Sequence, residues 1–302
     1  KSYKYRIYPN KNQVEQISKT FGCTRFVYNH VLSHKKELYE KEKKSISKVD
    51  CNNYCNHVLK EEYKWLKEVD KFALTNAIYN MDKAYTNFFK GNANYPKFKS
   101  KRNNHKSYTT NYTNGNIDVD YENNKIKLPK LKYVKAKTHR RFNGIIKSAT
   151  ISQVPSGKYY VSILVETAEI KNKDIIDKKI GIDLGIKDLC VTSDGEKIEN
   201  PKILNKYEKK LSRIGRSLSR KEKGSKNFQK TKQKLAKVYE KISNIRSDYL
   251  HKVSHKIINE NQVIISEDLQ VKNMIKNHNL ASKIADVSWY ELTRQLAYKA
   301  KW

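Results

Sequence analysis

Asp183 lies inside the run Ile180-Gly181-Ile182-Asp183-Leu184-Gly185-Ile186, an unusual setting for an acidic residue. Side chains alternate across a strand, so Ile180, Ile182, Leu184 and Ile186 face one way and Asp183 the other, flanked on its own side by Gly181 and Gly185. An ionised carboxylate on a central strand is costly unless it is paired, hydrogen-bonded or metal-bound. The flanking glycines leave room for a ligand to approach it. Glu267 ends a second apolar run, Val263-Ile264-Ile265-Ser266, and Asp268 follows on the opposite face. Two carboxylates delivered from two strands to one sheet edge suit a two-Mg²⁺ phosphodiesterase, whose metals sit roughly 3.5–4 Å apart, one activating water and one stabilising the leaving oxygen. Mg²⁺ takes hard oxygen ligands and keeps several waters, so no Cys or His is required. A single Asp in an apolar strand is, however, more often a structural or edge residue, and the pattern alone leaves both readings open.

A rival reading starts from the same residues. Gly181-Ile182-Asp183-Leu184-Gly185 resembles the phosphate-binding hairpin of actin-like ATPases, which need a second glycine-rich phosphate loop. This chain has 10 Gly, and none after Gly224, so the second loop has no candidate. Cys51 and Cys55, with His57, could suggest a metal site. The two cysteines are one helical turn apart, without the second ligand pair that structural zinc wants, and packing is the simpler reading.

The elements that must hold these residues can be traced along the chain. Tyr3–Tyr8 alternates like a strand and Pro9 ends it. Residues 11–89 then read as helices: one through Val14, Ile17 and Phe21, another through Phe26, Val27, His30, Val31 and Leu38, a third over Cys51–Tyr63 and a fourth over Phe72–Phe89. Gly91 and Pro96 close that block. Residues 97–170 break into short runs (Asn116–Tyr121, Lys125–Leu128, Ile145–Gln153, Tyr159–Glu166), predicting a small antiparallel barrel or sheet with the strand at 3–8 as an extra member. The stretch 171–178 is a charged linker.

From Lys179 the pattern becomes α/β, with strands at Lys179–Ile186, Leu189–Ser193, Lys197–Glu199 and Val263–Glu267. Between them Leu204, Tyr207, Leu211, Ile214 and Leu218, then Leu235, Val238, Ile242, Ile245 and Tyr249, predict a helical hairpin turning at Lys223-Gly224-Ser225. After Glu267 the reading is a loop and a final helix. There Trp289, Leu292, Leu296 and Ala300 keep helical spacing with no Gly, Asn or Pro to end the helix. That unended helix gives the expectation that the natural protein continues past Trp302, and Lys1 rather than Met the expectation that the start is cut as well.

Composition points to the partner. Lys+Arg number 63 against 31 Asp+Glu, a formal charge of +32 over 302 residues, so a polyanion is the natural partner. No apolar run approaches a membrane span and no signal peptide is evident, and four cysteines make no disulfide framework; no membrane partner and a reducing cytoplasm are expected. Arg213, Arg216, Arg220, Lys221, Lys223 and Lys226 cluster near the hairpin turn, outside its apolar seam, as candidate backbone contacts. Lys97, Lys99, Lys101, Arg102 and Lys106 form a second basic strip with Tyr108, which could stack on a base or pack in the sheet. Thr75, Asn76, Tyr79 and Asn80 lie off the apolar stripe of their helix. Asn is a good bidentate partner for adenine in the major groove, which makes Asn76 and Asn80 candidate readers of a DNA sequence, against the plain reading of exposed helix polars.

The order of motifs carries more than any one of them. The chain resembles the TnpB (OrfB) family of transposon-encoded relatives of type V CRISPR effectors. The resemblance runs through Tyr5-Arg6-Ile7-Tyr8-Pro9, Gly22-Cys23-Thr24-Arg25-Phe26-Val27-Tyr28-Asn29, Ala84-Tyr85-Thr86-Asn87-Phe88-Phe89 and Pro96-Lys97-Phe98-Lys99-Ser100-Lys101. It continues through Gly181–Gly185, Leu218-Ser219-Arg220-Lys221, Gly224-Ser225-Lys226-Asn227, Glu267-Asp268-Leu269 and Asp286-Val287-Ser288-Trp289-Tyr290.

The resemblance implies a multidomain α+β protein. A helical recognition lobe (10–95) is inserted in a wedge β-barrel (1–9 and 96–172), followed by a RuvC, ribonuclease H-like α/β domain (178–302) with the hairpin 202–260 inserted. It implies an RNA-guided DNA endonuclease that cuts next to a short adjacent motif, with guide RNA and double-stranded DNA as partners and Asp183 and Glu267 as catalytic Mg²⁺ ligands. The family's zinc ribbon and third carboxylate are not in this sequence. Zn²⁺ is therefore expected only if a further segment supplies the ribbon, and none of Asp188, Asp194 or Asp286 matches the third position. Guided DNA binding without efficient cleavage is the alternative. The oligomeric state is not set by the sequence.

Overall fold

The computed structural model describes residues 1–102, 105–168 and 177–301 and divides into two compact units, Lys1–Ala168 and Glu169–Trp302. Most of the predicted linker at 171–178, and Trp302, lie outside the described residues.

The first unit begins with β1 (Ser2–Tyr8) and α1 (Lys11–Glu42). Asn10 and Gln13 form a capping box at the helix start, and the Gln13 amide also donates to the carbonyls of Leu131 and Tyr133, tying the helix to the sheet. Two helices were predicted here; one 32-residue helix is present. Gly22, between the two predicted segments, has open space around it, and the buried face (Ile17, Phe21, Thr24, Val27, Tyr28, Val31) passes through it without losing register. An interior glycine costs only about 1 kcal/mol, less than one of these side chains contributes when buried.

The predicted helix over Cys51–Tyr63 is instead broken: α2 (Lys48–Tyr54), a π turn (Cys55–Leu59), the short α3 (Lys60–Glu62) and a 3₁₀ turn (Lys64–Glu68). Next, α4 (Lys71–Phe89), capped by Asp70, lays Leu74, Ile78, Met81 and Tyr85 against Val27, Val31 and Leu66 in a helical core. Cys23, Cys51 and Cys55 are buried in that core, and burial pushes the thiols of Cys23 and Cys51 up to about 11.

The remainder of the unit is β: β2 (Lys106–Asn111), β3 (Asp118–Asp120), β4 (Lys125–Leu128), β5 (Lys132–Lys137), β6 (Ile145–Gln153) and β7 (Tyr159–Glu166). They form a seven-stranded sheet in the order β2-β6-β7-β1-β5-β4-β3, every pairing antiparallel. β1 is its central strand, so the first residues of the chain hold the sheet together, and the helices intervene between β1 and its partners. Two strands escaped the sequence reading. β2 is built of Lys, Ser, Thr and Asn around Tyr108, and three lysines in β5 mask the alternation of Val134 and Ala136, both buried.

The second unit carries β8 (Lys179–Leu184), β9 (Asp188–Thr192), β10 (Lys197–Glu199) and, after the hairpin α5 (Ile203–Ser219) and α6 (Lys226–Glu260), β11 (Val263–Ser266). The sheet order is β10-β9-β8-β11, with β11 parallel to β8 and the other pairs antiparallel. Ser225 caps α6, and Gly224 turns the hairpin at φ +96, a conformation that favours glycine. Ile203, Val238 and Ile242 fill the hairpin seam with Leu204, Tyr207, Leu211 and Ile214, whereas Ile245 is exposed. The segment read as a loop after Glu267 contains α7 (Val271–Met274) and α8 (His278–Val287) before α9 (Trp289–Ala300). Ile284, Val287, Trp289, Leu292 and Leu296 from α8 and α9 close the core over Ile180, Ile182 and Leu184 of β8.

Candidate nuclease site and nucleic-acid surface

Register assembles the carboxylates. β8 and β11 run parallel with Ile180 beside Ile264 and Ile182 beside Ser266, so the next residue on each chain, Asp183 and Glu267, comes side by side at the same ends of adjacent strands. Ile180, Ile182 and Leu184 are buried on the helix side, while Asp183 and Glu267 are exposed on the other face. Neither carboxylate has a hydrogen-bond or ion-pair partner among the described residues. Two unpaired hard-oxygen donors at one sheet edge fit a divalent cation of the Mg²⁺ type, which completes its shell with water. Among the described residues no group of three His, Cys, Asp or Glu side chains comes together in metal-binding geometry.

Gly185, one of the two flanking glycines, has a local structural role. A Cβ on Gly185 would approach the Asp188 carbonyl to 3.0 Å, and one on Gly181 would rest against Ser193. Gly185 therefore serves the tight β8–β9 turn, where its N–H donates to Leu189. Its carbonyl accepts from the Trp289 indole N–H at 3.2 Å, pinning the end of the carboxylate strand to the start of α9.

Asp286 belongs to a different machine. Its carboxylate accepts from Arg246 at 2.6 Å and twice from the Leu204 backbone N–H, joining α8, α6 and the first turn of α5. A second polar junction holds α6 to α9: the Ser254 hydroxyl donates to Gln295, and the Lys299 ammonium donates to Ser254 and to the His251 carbonyl. Asp194 pairs with Lys178 and Glu196 with Lys256.

On the hairpin, Arg213, Arg216, Arg220 and Lys226 are exposed and Lys221 half-buried, and none has an ion-pair partner among the described residues. Unpaired cations repel one another and attract phosphate. In the first unit the basic strip is anchored by Asn29, whose side chain donates to the Lys99 carbonyl and accepts from its N–H. The Lys99 ammonium lies 3.9 Å from the centre of the Tyr28 ring, crowded enough that desolvation lowers its pKa. Lys97 and Lys101 are exposed. Arg25, Asn80, Lys99, His105 and Lys106 line a cleft of about 260 Å³ with Tyr108 at its wall.

Three candidate contact residues are engaged within the protein. Tyr108 is 6% exposed and packs edge-to-face on Phe21, so its ring is a core element and offers no face to a base. The Asn76 amide donates to the carbonyls of Phe72 and Thr109 and to Asn111, holding α4 on β2 rather than facing a groove. Thr75 donates to Asn52 of α2. Tyr79 is exposed with Lys48 over its ring, and Asn80 alone of the four lines the cleft. Arg25, which the sequence reading did not single out, was visible only as part of a motif.

A family profile described as "Probable transposase" (OrfB, IS605 type) matches residues 162–278. A companion profile described as "Helix-turn-helix domain" matches residues 1–44, which here form β1 and the single helix α1. A Streptomyces pristinaespiralis protein named "Putative RNA-guided DNA endonuclease" is 34% identical over all of this chain and 75% of its own length. InsQ of Escherichia coli strain K12, whose name carries the same description, is 34% identical over all of this chain and 78% of its own length. Among solved structures, one described as a cryo-EM Cas12f1-sgRNA-target DNA complex aligns with TM-score 0.57 at 13% identity, covering 95% of this chain and 71% of that one. At that identity the likeness is one of fold.

Proposed function

Because the chain belongs to the TnpB (OrfB) family, we propose that it is an RNA-guided DNA endonuclease in which Asp183 and Glu267 form the cutting site. The observation that carries this is the register of β8 and β11, which sets two unpaired carboxylates side by side on an exposed sheet edge. The strand order, three antiparallel strands and a parallel fourth beside the first, supports a ribonuclease H-like, RuvC-type reading of the second unit. Relatives named for RNA-guided cleavage support guide RNA and double-stranded DNA as partners.

In this mechanism base pairing between guide and target reads the sequence, and protein cations hold the backbones. Arg213, Arg216, Arg220, Lys221 and Lys226 on the hairpin, and Lys97, Lys99 and Lys101 on the strip, bind phosphates. Asn80 with Arg25 at the cleft is the best-placed group to read a short adjacent motif next to which cutting occurs. Mg²⁺ held by Asp183 and Glu267, in a two-ion arrangement, would supply charge stabilisation for in-line displacement at phosphorus. Trp289 and the β8–β9 turn keep Asp183 in place against Glu267.

The test is cleavage of double-stranded DNA by protein copurified with its RNA, in Mg²⁺, for wild type, Asp183→Ala and Glu267→Gln. Both variants are expected to lose cutting while retaining RNA and DNA binding. Full cleavage by Asp183→Ala would refute the site. A second reading, guided DNA binding without efficient cutting, is favoured by the engagement of Asp286 with Arg246 and Leu204 and of Asp194 with Lys178, with no third His, Cys, Asp or Glu grouped with the pair among the described residues. It predicts target binding by wild type with no cut product.

A further inference from the structure

The end of α4 carries an aromatic surface that the contacts assigned above leave unused. Phe89 is 77% exposed, the highest value for a large apolar side chain among the described residues. It extends the inward stripe of α4 one turn past Tyr85, to where the helical core has ended. Its ring lies nearly parallel to that of Tyr85, centroids 6.2 Å apart and planes 21° from each other. Phe88 meets Phe89 at 5.3 Å, and Tyr95 packs edge-on against Phe88 at 5.3 Å and 82°. The hydroxyls of Tyr95 and Tyr85 share a 2.9 Å hydrogen bond, which fixes the returning chain under the platform.

The surroundings select the occupant. Between residues 83 and 102 the chain has six cations (Lys83, Lys90, Lys97, Lys99, Lys101, Arg102) and no carboxylate. Lys83, Lys90, Lys97 and Lys101 have no ion-pair partner among the described residues. A second copy of a chain with charge +32 would bring the same lysine rim against this one and be repelled. A nucleic acid brings phosphates for the rim and a π-face for the ring. Duplex DNA keeps its bases stacked on one another, whereas a structured RNA has unpaired loop bases free to stack on aromatic side chains. The strip leads from Tyr95 to Lys99, at most about 14 Å of chain, and so joins the platform to the basic cleft lined by Arg25, Lys99 and Lys106.

We infer that Phe89, backed by Tyr85, Phe88 and Tyr95, is a stacking platform for unpaired bases of RNA, with the lysine rim holding the flanking phosphates. The inference rests on the nucleic-acid reading above and deepens it by assigning a base-contacting site.

The experiment titrates full-chain wild type, Phe89→Ala and Phe89→Trp with a mixed-sequence single-stranded RNA containing 2-aminopurine, at several salt concentrations. Matched duplex RNA and single-stranded DNA are run in parallel. Phe89→Ala is expected to bind the single-stranded RNA about 5- to 150-fold more weakly and to lose 2-aminopurine quenching. Its salt slope should stay unchanged, because no phosphate contact is removed. Phe89→Trp should keep affinity and quenching. The platform is overturned if Phe89→Ala binds like wild type, if duplex RNA is weakened equally, or if single-stranded DNA is the preferred ligand. It is equally overturned if light scattering finds a dimer that Phe89→Ala dissociates. Wild type that binds no RNA at all would remove the nucleic-acid reading itself, whereas RNA binding indifferent to Phe89 removes only the platform.

Discussion

At the scale of single residues, acidic groups that look alike in the sequence do different work. Asp183 and Glu267 stand unpaired, whereas Asp286 accepts from a guanidinium and a backbone amide at a buried junction. Removing one member of a buried pair strands the other, which costs about 3–5 kcal/mol. Asp286→Ala should therefore lower the urea midpoint of the protein sharply, while the double replacement Arg246→Met/Asp286→Leu should cost clearly less. A double loss equal to the sum of the losses of Arg246→Met and Asp286→Leu measured singly would show that the pair is not energetically coupled. The cysteines make a pH prediction. Burial raises the Cys190 thiol from 9.0 to about 11, so the folded state prefers the neutral form. That contribution is complete below pH 9, where the unfolded thiol is also neutral, and is lost as pH rises through 11. Urea midpoints measured between pH 8 and about 11 should fall, and fall less in Cys190→Ala, where the ionising group is gone.

At the scale of elements, α9 is the support of the carboxylate strand. Trp289 donates to the Gly185 carbonyl, two residues beyond Asp183, and its ring sits in the core with Ile182 and Leu184. Trp289→Phe keeps most of the ring and removes the donor. It should cost about 1–3 kcal/mol in stability and reduce cleavage more than RNA affinity, read by comparing single-turnover cutting with RNA titration. If cutting and RNA binding fall together, Trp289 supports the fold without positioning the site. The hairpin depends on its turn in the same way: Ser225 caps α6 by accepting from Phe228, and Ser225→Ala should cost about 1 kcal/mol, measurable as a lowered melting temperature.

At the scale of the whole molecule, charge dominates. A formal +32 over the chain, with unpaired cations near the hairpin turn and along the strip, predicts affinity that falls steeply with salt, by about 0.9 in log–log slope per neutralised phosphate on duplex DNA. Replacing Arg213, Arg216, Arg220 and Lys226 together by Ala should flatten the slope measured with duplex DNA by up to about 3–4. An unchanged slope would take the hairpin out of the binding surface. No helix of the described residues is long and apolar enough to cross a membrane.

Much of this was legible from residue order because local periodicity encodes which face of an element is buried. Period-two alternation put Asp183 opposite Ile182 and Leu184, and 3-4 spacing drew the hairpin. What periodicity could not give is which neighbour occupies a polar group. Asn76 and Asn80 are one helical turn apart on α4, yet β2 takes the amide of the first and leaves the second at the cleft, and β2 was itself hidden by its polar composition. Tyr108 and Asp286 were decided in the same way, by a ring and a guanidinium from distant segments. Hydrogen bonds and ring contacts form between elements that meet only in three dimensions. The pairing of Asp183 with Glu267, 84 positions apart, exists because β11 docks parallel to β8, a choice of partner strand that alternation within either strand does not contain.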